Sequence, residues 1–472
     1  MGITLARLTE PFRIRQFDPE CSDARAIERH RRVTLTGVTA AAARIVSVGT
    51  SLVTVPITLS YLGAERFGLW MAISSVLAIM SFADFGIGNG VMNAVAEAHG
   101  KNDVKGIQAA IASGLAALVG IAFILLIAFT AVYPHVDWAS MFKVHSSTAK
   151  IEAGPALFVV AVFFILNIPA GLVQRAQMGL QEGFRSYMWQ LGGSLVGLLG
   201  VLLAIHWRRG LPWLLFAIAG SPAILAMLNG FVFFGLMRRD LVPKMKFVSR
   251  HAISSISRLG ALFFVLQLVV ALAFSSDNFI IVRVLGPEAA TQYAVPQRMF
   301  MMISIMLSML TAPLWPAYAE AISRGDASWV RSTLFHSLKL ALFAALLGVV
   351  ALVFFGPAIL RIWVSGKVTA SLALLIGLGV WTLFDVAGNV VAMFLNGAAV
   401  VRFQVIVALC FGIVCVAVKI LAVKAFGIVV LPWTTSVTYA VAVAIPTAIV
   451  VPGLLRRIEG AEECLASVVE TT

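Results

Sequence analysis

LGAERFGLW, at residues 62–70, opens a 42-residue stretch that closes with AVAEAHGKND at residues 94–103. The same arrangement returns later in the chain, where LGPEAATQY (residues 285–293) and AYAEAISRGD (residues 317–326) stand at a constant offset of 223. Nine of the 42 aligned positions are identical, and they cluster at the two ends of the stretch, whereas chance would scatter them. Because internal self-similarity of this kind indicates a duplicated structural unit, the sequence predicts two related halves.

The composition places these halves in a membrane. Hydrophobic residues make up 60% of the chain and charged residues only 12%, and the mean hydropathy is +0.96. Soluble domains carry about 25% charged residues, which excludes an ordinary soluble enzyme. The apolar runs are also too long and too continuous for the alternating strands of a membrane barrel. We therefore expect an all-α polytopic membrane protein.

Twelve apolar runs are long enough to cross a bilayer as helices, which takes about 20 residues. They lie at residues 34–60, 67–97, 106–133, 154–176, 185–206, 211–237, 259–284, 291–321, 333–360, 370–396, 403–424 and 428–454. Each half contains six runs, and an even number returns the chain to the side on which it began. We therefore expect twelve transmembrane helices in two six-helix lobes, related as a parallel repeat about a pseudo-twofold axis perpendicular to the membrane.

The segments between these runs divide the chain into five parts. They are a basic cytoplasmic arm (1–33), an N-terminal six-helix lobe (34–237), a cytoplasmic linker (238–258), a C-terminal six-helix lobe (259–454) and a cytoplasmic tail (455–472). Paired bundles of this kind are typical of transporters that bind substrate between the bundles and rock to give alternating access. A duplicated bundle with a structural or enzymatic role is the alternative.

The formal net charge of +13 is explained by membrane topology. With both termini in the cytoplasm, the cytoplasmic segments and the adjoining run ends carry 22 basic residues, and the outer loops with their adjoining run ends carry 9, as the positive-inside rule requires. One outer loop, HWRRG at residues 206–210, runs against the rule. The excess charge also attracts anionic membrane lipids, and we expect no nucleic-acid partner. The four cysteines show no metal or redox spacing.

The first run carries a polar stripe. Arg44, Ser47, Ser51, Thr54 and Thr58 fall on one face of a helix that is otherwise apolar. Serines and threonines alone are as readily explained as hydrogen-bonding contacts between helices. The five donors of an arginine, however, find no acceptor in lipid, which favours a hydrated cavity or an anionic ligand.

The offset of 223 extends this pattern to the second half. It aligns Arg44 with Gln267 and Thr54 with Asp277, so that runs 1 and 7 present polar groups at equivalent depths. We expect a central cavity lined by runs 1, 2, 7 and 8, with Arg44 and Arg298 as its positive charges. Because guanidinium groups bind phosphate in a bidentate manner, the expected ligand bears phosphate.

The stretch ADFGIGNG, at residues 83–90, lies inside the second run. A phosphate-binding glycine loop needs a strand before it and a helix after it, and an apolar helix precedes this one. Asp84 is instead expected to be a cavity or gating carboxylate paired with Arg44, and the alternative is a structural salt bridge. Asn89 and Asn93 are four residues apart, share a helix face and extend the polar lining.

The glycines of this stretch weaken the second run, and prolines weaken its counterpart. Gly88 and Gly90 loosen the helix beside Asp84, while Pro313 and Pro316 lie at the matching positions of run 8. Such breaks are tolerated in membrane helices where neighbours or water satisfy the freed backbone groups. These four residues are therefore predicted to allow bending during a transport cycle.

These residues also carry a family resemblance. YLGAERFGLW, FADFGIGNG and AVAEAHGKND resemble the first repeat of the polysaccharide (O-antigen type) flippases of the multidrug, oligosaccharidyl-lipid and polysaccharide exporter superfamily. SSDNFIIVRVLGPEAATQY resembles the opening of their second repeat, with Asp277 at the place of a typical acid. The resemblance implies two lobes around a cation-lined cavity, and translocation of a polyprenyl-diphosphate-linked oligosaccharide across the bacterial inner membrane for polysaccharide synthesis.

The leading hypothesis assigns a role to each polar residue. Arg44 and Arg298 would hold the diphosphate, while the remaining predicted substrate-binding residues would contact sugars or relay protons: Asp84, Asp277, Asn89, Asn93, Gln267 and Gln297. The chain has no P-loop, so a coupling ion such as H⁺ or Na⁺, the membrane potential or downstream consumption by a polysaccharide polymerase would supply energy. No cofactor, metal or catalytic residue is predicted. The alternatives are a cation-coupled multidrug exporter of the same superfamily and a membrane-embedded glycosyl- or acyltransferase.

Overall fold

The computed structural model describes residues 22–80, 83–142, 144–285, 287–363 and 370–470. Within these ranges the chain is helical and contains no strand. The described residues form two compact units, Ile27–Ala261 and Leu262 onward, called the first and second lobe below. Residues 1–21 of the predicted arm lie outside the described ranges, whereas residues 22–33 are the first turns of a helix.

Within the described residues, nine α-helices precede the linker. They are α1 (Ser22–Met80), α2 (Ile87–Gly100), α3 (Val104–Val132), α4 (Trp138–Met141), α5 (Ser147–Ala170), α6 (Leu172–Gly179), α7 (Gly183–His206), α8 (Leu211–Leu215) and α9 (Ser221–Gly230). Segments of π-helix, Phe216–Gly220 and Phe231–Met237, continue α8 and α9.

Eight further helices follow in the part of the chain that the structure describes. They are α10 (Arg250–Leu285), α11 (Pro287–Thr311), α12 (Leu314–Arg324), α13 (Ala327–Trp363), α14 (Leu372–Gly397), α15 (Val401–Phe426), α16 (Val430–Tyr439) and α17 (Ile445–Glu470). The π-helical segment Ala440–Ala444 joins the last two. The predicted cytoplasmic tail from residue 455 continues α17 as far as Glu470.

Eleven helices of the described chain are long and apolar enough to cross a membrane. Helices dominate because the bilayer core offers no water to satisfy backbone N–H and C=O groups. Each membrane-spanning segment must therefore form its backbone hydrogen bonds internally. The predicted second run, residues 67–97, does not form one continuous helix. α1 bends at Gly63 and ends at Met80, and α2 begins only at Ile87.

The repeated ends of the 42-residue stretch fold alike in the two lobes. Glu97 pairs with Lys101, and Glu320 pairs with Arg324, each four residues along its helix. The next residue adopts a left-handed conformation in both cases, with φ of 53° at Asn102 and 80° at Gly325. Such a residue ends a helix and satisfies its last carbonyl groups. The sequence repeat is therefore a structural repeat.

Small residues allow the helices of each lobe to approach closely. In the first lobe, a side chain at Gly179 would stand 2.8 Å from the carbonyl oxygen of Met92. In the second lobe, one at Gly397 would stand 2.8 Å from the carbonyl oxygen of Trp315. Glycines at such contacts are typical of membrane helices, whose association depends on close packing rather than on the hydrophobic effect.

The linker packs on the first lobe. Gln108 Nε2 donates a 2.6 Å hydrogen bond to the carbonyl oxygen of Asp240, and the Ser249 amide donates to Ser113 Oγ at 3.1 Å. The guanidinium of Arg238 beside Asp240 holds the pKa of that carboxyl below its ordinary value. The predicted linker is thus a fixed element, and its last residues form the start of α10.

Candidate functional site

Arg44 lies in the middle of the first membrane-spanning helix, Ile27–Gly63. Its side chain is exposed and, within the described part of the chain, makes no hydrogen bond or ion pair. The predicted polar stripe continues from there into the lobe, since Ser51 is exposed whereas Thr54 and Thr58 are buried. Thr58 Oγ1 donates to the Thr54 carbonyl oxygen at 2.7 Å. The stripe thus leads from an exposed cation to the satisfied hydroxyl group of Thr58.

Arg298 has the corresponding character in the second lobe. It lies at the middle of α11, and its side chain is exposed without a hydrogen bond or ion pair among the described residues. Gln297, its neighbour, and Gln267 on α10 are each half-buried. Both predicted guanidinium groups are therefore available to a ligand.

Asp84 forms the turn that separates α1 from α2. Its Oδ1 accepts a 3.0 Å hydrogen bond from the amide of Gly86, and Gly86 is left-handed with φ of 71°. Phe85 is left-handed as well, with φ of 48°. Two successive left-handed residues cannot continue a right-handed helix, so the helix breaks here and α2 begins at Ile87. The carboxylate is half-buried and makes no ion pair with Arg44 within the described residues.

Gly88 and Gly90 lie inside α2, beyond the break. A side chain at Gly88 would stand 3.0 Å from both Arg175 Nε and Asp84 Oδ2, and one at Gly90 would stand 2.6 Å from the Ile256 carbonyl oxygen. These glycines therefore make room for neighbours from α6 and α10. Sequence reasoning missed Arg175, because a basic residue at the end of a run is counted as a topology signal.

Asn89 and Asn93 also lie on α2. Both are buried, with 3% and 5% of their surfaces exposed. Asn89 Oδ1 has no hydrogen-bond partner within the described chain. A buried amide oxygen without a partner costs about 1–3 kcal/mol, which a water molecule or a ligand hydroxyl would recover.

Asp277 belongs to a buried ion pair inside the second lobe. Its Oδ1 lies 2.5 Å from Lys419 Nζ on α15, and its Oδ2 accepts a 3.0 Å hydrogen bond from the hydroxyl of Tyr293 on α11. Exposed fractions are 4% for Asp277, 0% for Lys419 and 2% for Tyr293. Both carboxylate oxygens are thus occupied by groups of the same lobe.

Pro313 and Pro316 lie at the break between α11 and α12. Residues 312–313 form a turn, Pro313 caps α12, and Pro316 is in its first turn, where a missing amide costs least. With the offset of 223, Gly86 corresponds to Met309 and Pro313 to Gly90. The breaks therefore occur about one helical turn apart, and not at one depth.

The described residues contain no group of three or more His, Cys, Asp or Glu side chains that could hold a metal ion. The arrangement offers hydrogen-bond donors, acceptors and positive charge along membrane-spanning helices. Groups of these kinds can bind a polar or anionic ligand.

Solved structures with this fold are membrane transporters. A multidrug resistance MATE family transporter of the MOP superfamily, in an outward-facing conformation, aligns with a TM-score of 0.76 and 16% identity over 92% of this chain and 97% of its own. A MOP superfamily transporter from Pyrococcus furiosus aligns with a TM-score of 0.74 and 15% identity over the same shares. The chain therefore has the twelve-helix, two-lobe fold of this superfamily, which confirms the predicted fold class.

The chain belongs to the family described as "Polysaccharide biosynthesis protein", which matches residues 37–322. A putative O-antigen transporter from Salmonella typhimurium is 24% identical over 282 residues, 59% of this chain and 63% of the relative. A putative O-antigen export protein from Yersinia pseudotuberculosis is 23% identical over 292 residues, 60% of this chain and 64% of the relative. The matched stretch thus spans less than two thirds of these relatives. The resemblance found in the sequence is confirmed.

Proposed function

We propose that this protein translocates a polyprenyl-diphosphate-linked oligosaccharide across the bacterial inner membrane by alternating access, for the synthesis of surface or exported polysaccharide. The family and the relatives described as O-antigen transporters support this proposal. Both termini would lie in the cytoplasm, and a polysaccharide polymerase would consume the product.

One observation carries the proposal: the guanidinium groups of Arg44 and Arg298 are exposed on membrane-spanning helices and lack a protein partner among the described residues. A charge at the centre of a membrane helix costs at least about 2.5 kcal/mol, so each requires water or an anion. A diphosphate diester carries two negative charges, which two guanidinium groups would neutralise through bidentate hydrogen bonds. The lipid tail would remain in the bilayer.

The remaining polar residues would serve the sugars and the conformational change. Asn89, Asn93, Gln267 and Gln297 present amides suited to sugar hydroxyl groups, and Asp84 would accept from such a hydroxyl. Asp277 would act from inside the second lobe and not through direct contact with a sugar, because Lys419 and Tyr293 already occupy its carboxylate oxygens. The helix breaks beside Gly88, Gly90, Pro313 and Pro316 would absorb bending. The coupling ion, H⁺ or Na⁺, belongs to this proposal as well.

Replacing Arg44 or Arg298 by Ala tests the proposal. Each change should reduce binding of a short-chain prenyl diphosphate to purified protein about 10- to 100-fold, because hydrogen bonds to charged groups contribute about 1.5–3 kcal/mol. Polysaccharide export in cells should fall with it, at unchanged protein level. Arg44→Lys should recover little, since an ammonium lacks the bidentate geometry.

Lys339→Ala is the matched control. Lys339 is also an exposed basic residue on a membrane-spanning helix, α13, but its flexible stem can carry the charge toward the membrane surface. It should leave prenyl diphosphate binding and export unchanged. Unaltered export in the Arg44→Ala strain, or an equal loss with Lys339→Ala, would remove the arginines from the mechanism. Altered drug susceptibility of a deletion strain with intact polysaccharide would instead favour the multidrug alternative.

A further inference from the structure

The second lobe contains a cavity of about 610 Å³, lined by residues of α10, α13, α14, α15, α16 and α17. It extends along α14 from Asp385, at the middle of that helix, to Leu395 near its end. Ten residues of α-helix span about 15 Å, so the cavity is elongated. Its volume falls in the range of about 300–1,000 Å³ that small-molecule sites occupy.

Asp385 is the one charged residue among those that line this cavity. It forms no ion pair within the described part of the chain, and the Ser304 side chain lies beside its carboxyl group. The other polar groups of the lining already have partners in part, since Asn389 Oδ1 accepts from Thr311 at 3.3 Å and Gln404 donates to Asn396 at 2.9 Å. A single carboxylate thus faces apolar walls without a positive charge to balance it.

Aromatic rings line the cavity, and Tyr439 packs against two of them. The lining includes Phe335, Phe384, Phe403, Phe411 and Tyr439. The ring of Tyr439 lies 5.5 Å from the ring of Phe411 and 6.1 Å from that of Phe384, between centroids. Its hydroxyl lies against Gly388, where an added Cβ would stand only 1.9 Å away. Gly388 is one helical turn beyond Asp385, so Tyr439 packs on α14 about one turn from the carboxylate.

We propose that this cavity binds an apolar organic cation, with the positive charge at Asp385 and the hydrocarbon along α13 and α15. An uncompensated carboxylate in an apolar cavity is costly, and a cation with dispersed charge compensates it while losing little hydration. The faces of aromatic rings add cation–π attraction of about 0.5–2 kcal/mol each. The site is opposite in charge to the diphosphate site proposed at Arg44 and Arg298, and an anion would be repelled from it.

Tetraphenylphosphonium and tetraphenylborate test this directly, because they share a shape and differ in the sign of their charge. Purified wild-type protein should bind tetraphenylphosphonium saturably and exclude tetraphenylborate from the same site. Asp385→Asn should weaken phosphonium binding about tenfold or more. Glu459→Gln, which removes an acid of the same lobe that pairs with Arg331 on the surface, should leave it unchanged.

Two further variants keep the result decisive. Ala392→Phe fills the cavity without changing its charge, since Ala392 lies in the lining, and it should abolish phosphonium binding while the protein stays folded. Arg44→Ala should retain phosphonium binding even if prenyl diphosphate binding is lost, which separates this site from the proposed function. Equal phosphonium binding by wild-type protein, Asp385→Asn and Ala392→Phe, or equal binding of the two ions by wild-type protein, would overturn the proposal and assign the cavity to a lipid acyl chain.

Discussion

Both lobes build the same helix contact from a glycine and a carbonyl oxygen. Gly179 lies against Met92 in the first lobe, and Gly397 lies against Trp315 in the second. Each contact lies beside an ion pair four residues apart and a left-handed residue that ends the helix. The duplicated sequence therefore retains the packing at the repeated helix ends.

The polar groups inside the lobes differ. In the first lobe, Asp84 and Arg175 each lie close to Gly88 without forming an ion pair with each other within the described residues. In the second lobe, Asp277 and Lys419 form a buried pair that Tyr293 completes. The duplicated scaffold thus holds Asp84 and Arg175 in the first lobe without an ion pair between them, here called the open group. In the second lobe it holds the buried ion pair of Asp277 and Lys419, here called the closed pair. We interpret the closed pair as structural and the open group as available for binding.

Breaking the closed pair should have the largest effect on stability. Lys419→Met leaves the carboxylate of Asp277 buried without its cation, which should lower the free energy of unfolding by about 3–5 kcal/mol. The double variant Asp277→Leu with Lys419→Met removes both charges and should recover most of this loss. Thermal unfolding of the purified proteins in one detergent would measure both.

Arg175→Met is the matched change in the first lobe. Because no ion pair is lost there, the thermal midpoint should move much less than with Lys419→Met. A stable Lys419→Met protein, or an equal loss in the two lobes, would contradict the contrast between a closed and an open group.

The glycine contacts that the two lobes share should respond alike to substitution by alanine. Gly179→Ala and Gly397→Ala each place a methyl group under 3 Å from backbone atoms of a neighbouring helix. Overpacking of this kind costs about 1–3 kcal/mol, so the two variants should lose similar amounts of thermal stability. Gly192→Ala is the control, because a Cβ at Gly192 meets nothing within 4 Å. A loss in one lobe only would show that the repeat has diverged at this contact.

The sequence predicted the structural features that depend on a single helix or on the internal repeat. Run lengths located the membrane helices, and the recurrence of Glu97 and Glu320 located helix ends that the structure confirms as equivalent. The helix breaks were foreseen from the glycines of residues 86–90 and from Pro313, and the first falls at Phe85 and Gly86, which are both left-handed. The pattern did not show which residues of this stretch would adopt that conformation, since several neighbouring glycines permit a break.

Contacts between distant helices could not be read from the pattern. Asp277 and Lys419 each lie deep in an apolar run, yet 142 residues separate them. Periodicity gives the face of a helix but not which helix lies opposite or at what depth. Tyr293 and Arg175 were missed for the same reason, since an aromatic residue and a terminal cation are ordinary in membrane helices. Gln267, Gln297 and the two asparagines remain predictions as sugar contacts.

The smallest expected effect concerns Glu65, in the repeated LGxE motif outside the membrane-spanning segments. The Ser146 side chain, followed by the amides of His145 and Ser146, donates hydrogen bonds to its carboxylate where α5 begins. These bonds lower its pKa from 4.5 to about 2. A lowered pKa stabilises the fold above the ordinary value of 4.5, and this stabilisation is lost as the pH falls from there through about 2. Wild-type protein should therefore exceed Glu65→Gln in thermal midpoint at about pH 6, by less at about pH 3. Glu288→Gln, at the matching position of the second lobe, should reproduce this difference if the repeat includes this hydrogen bonding at the start of a helix. A gap between wild type and Glu65→Gln that is the same at both pH values would show that ionisation of Glu65 does not stabilise the start of α5.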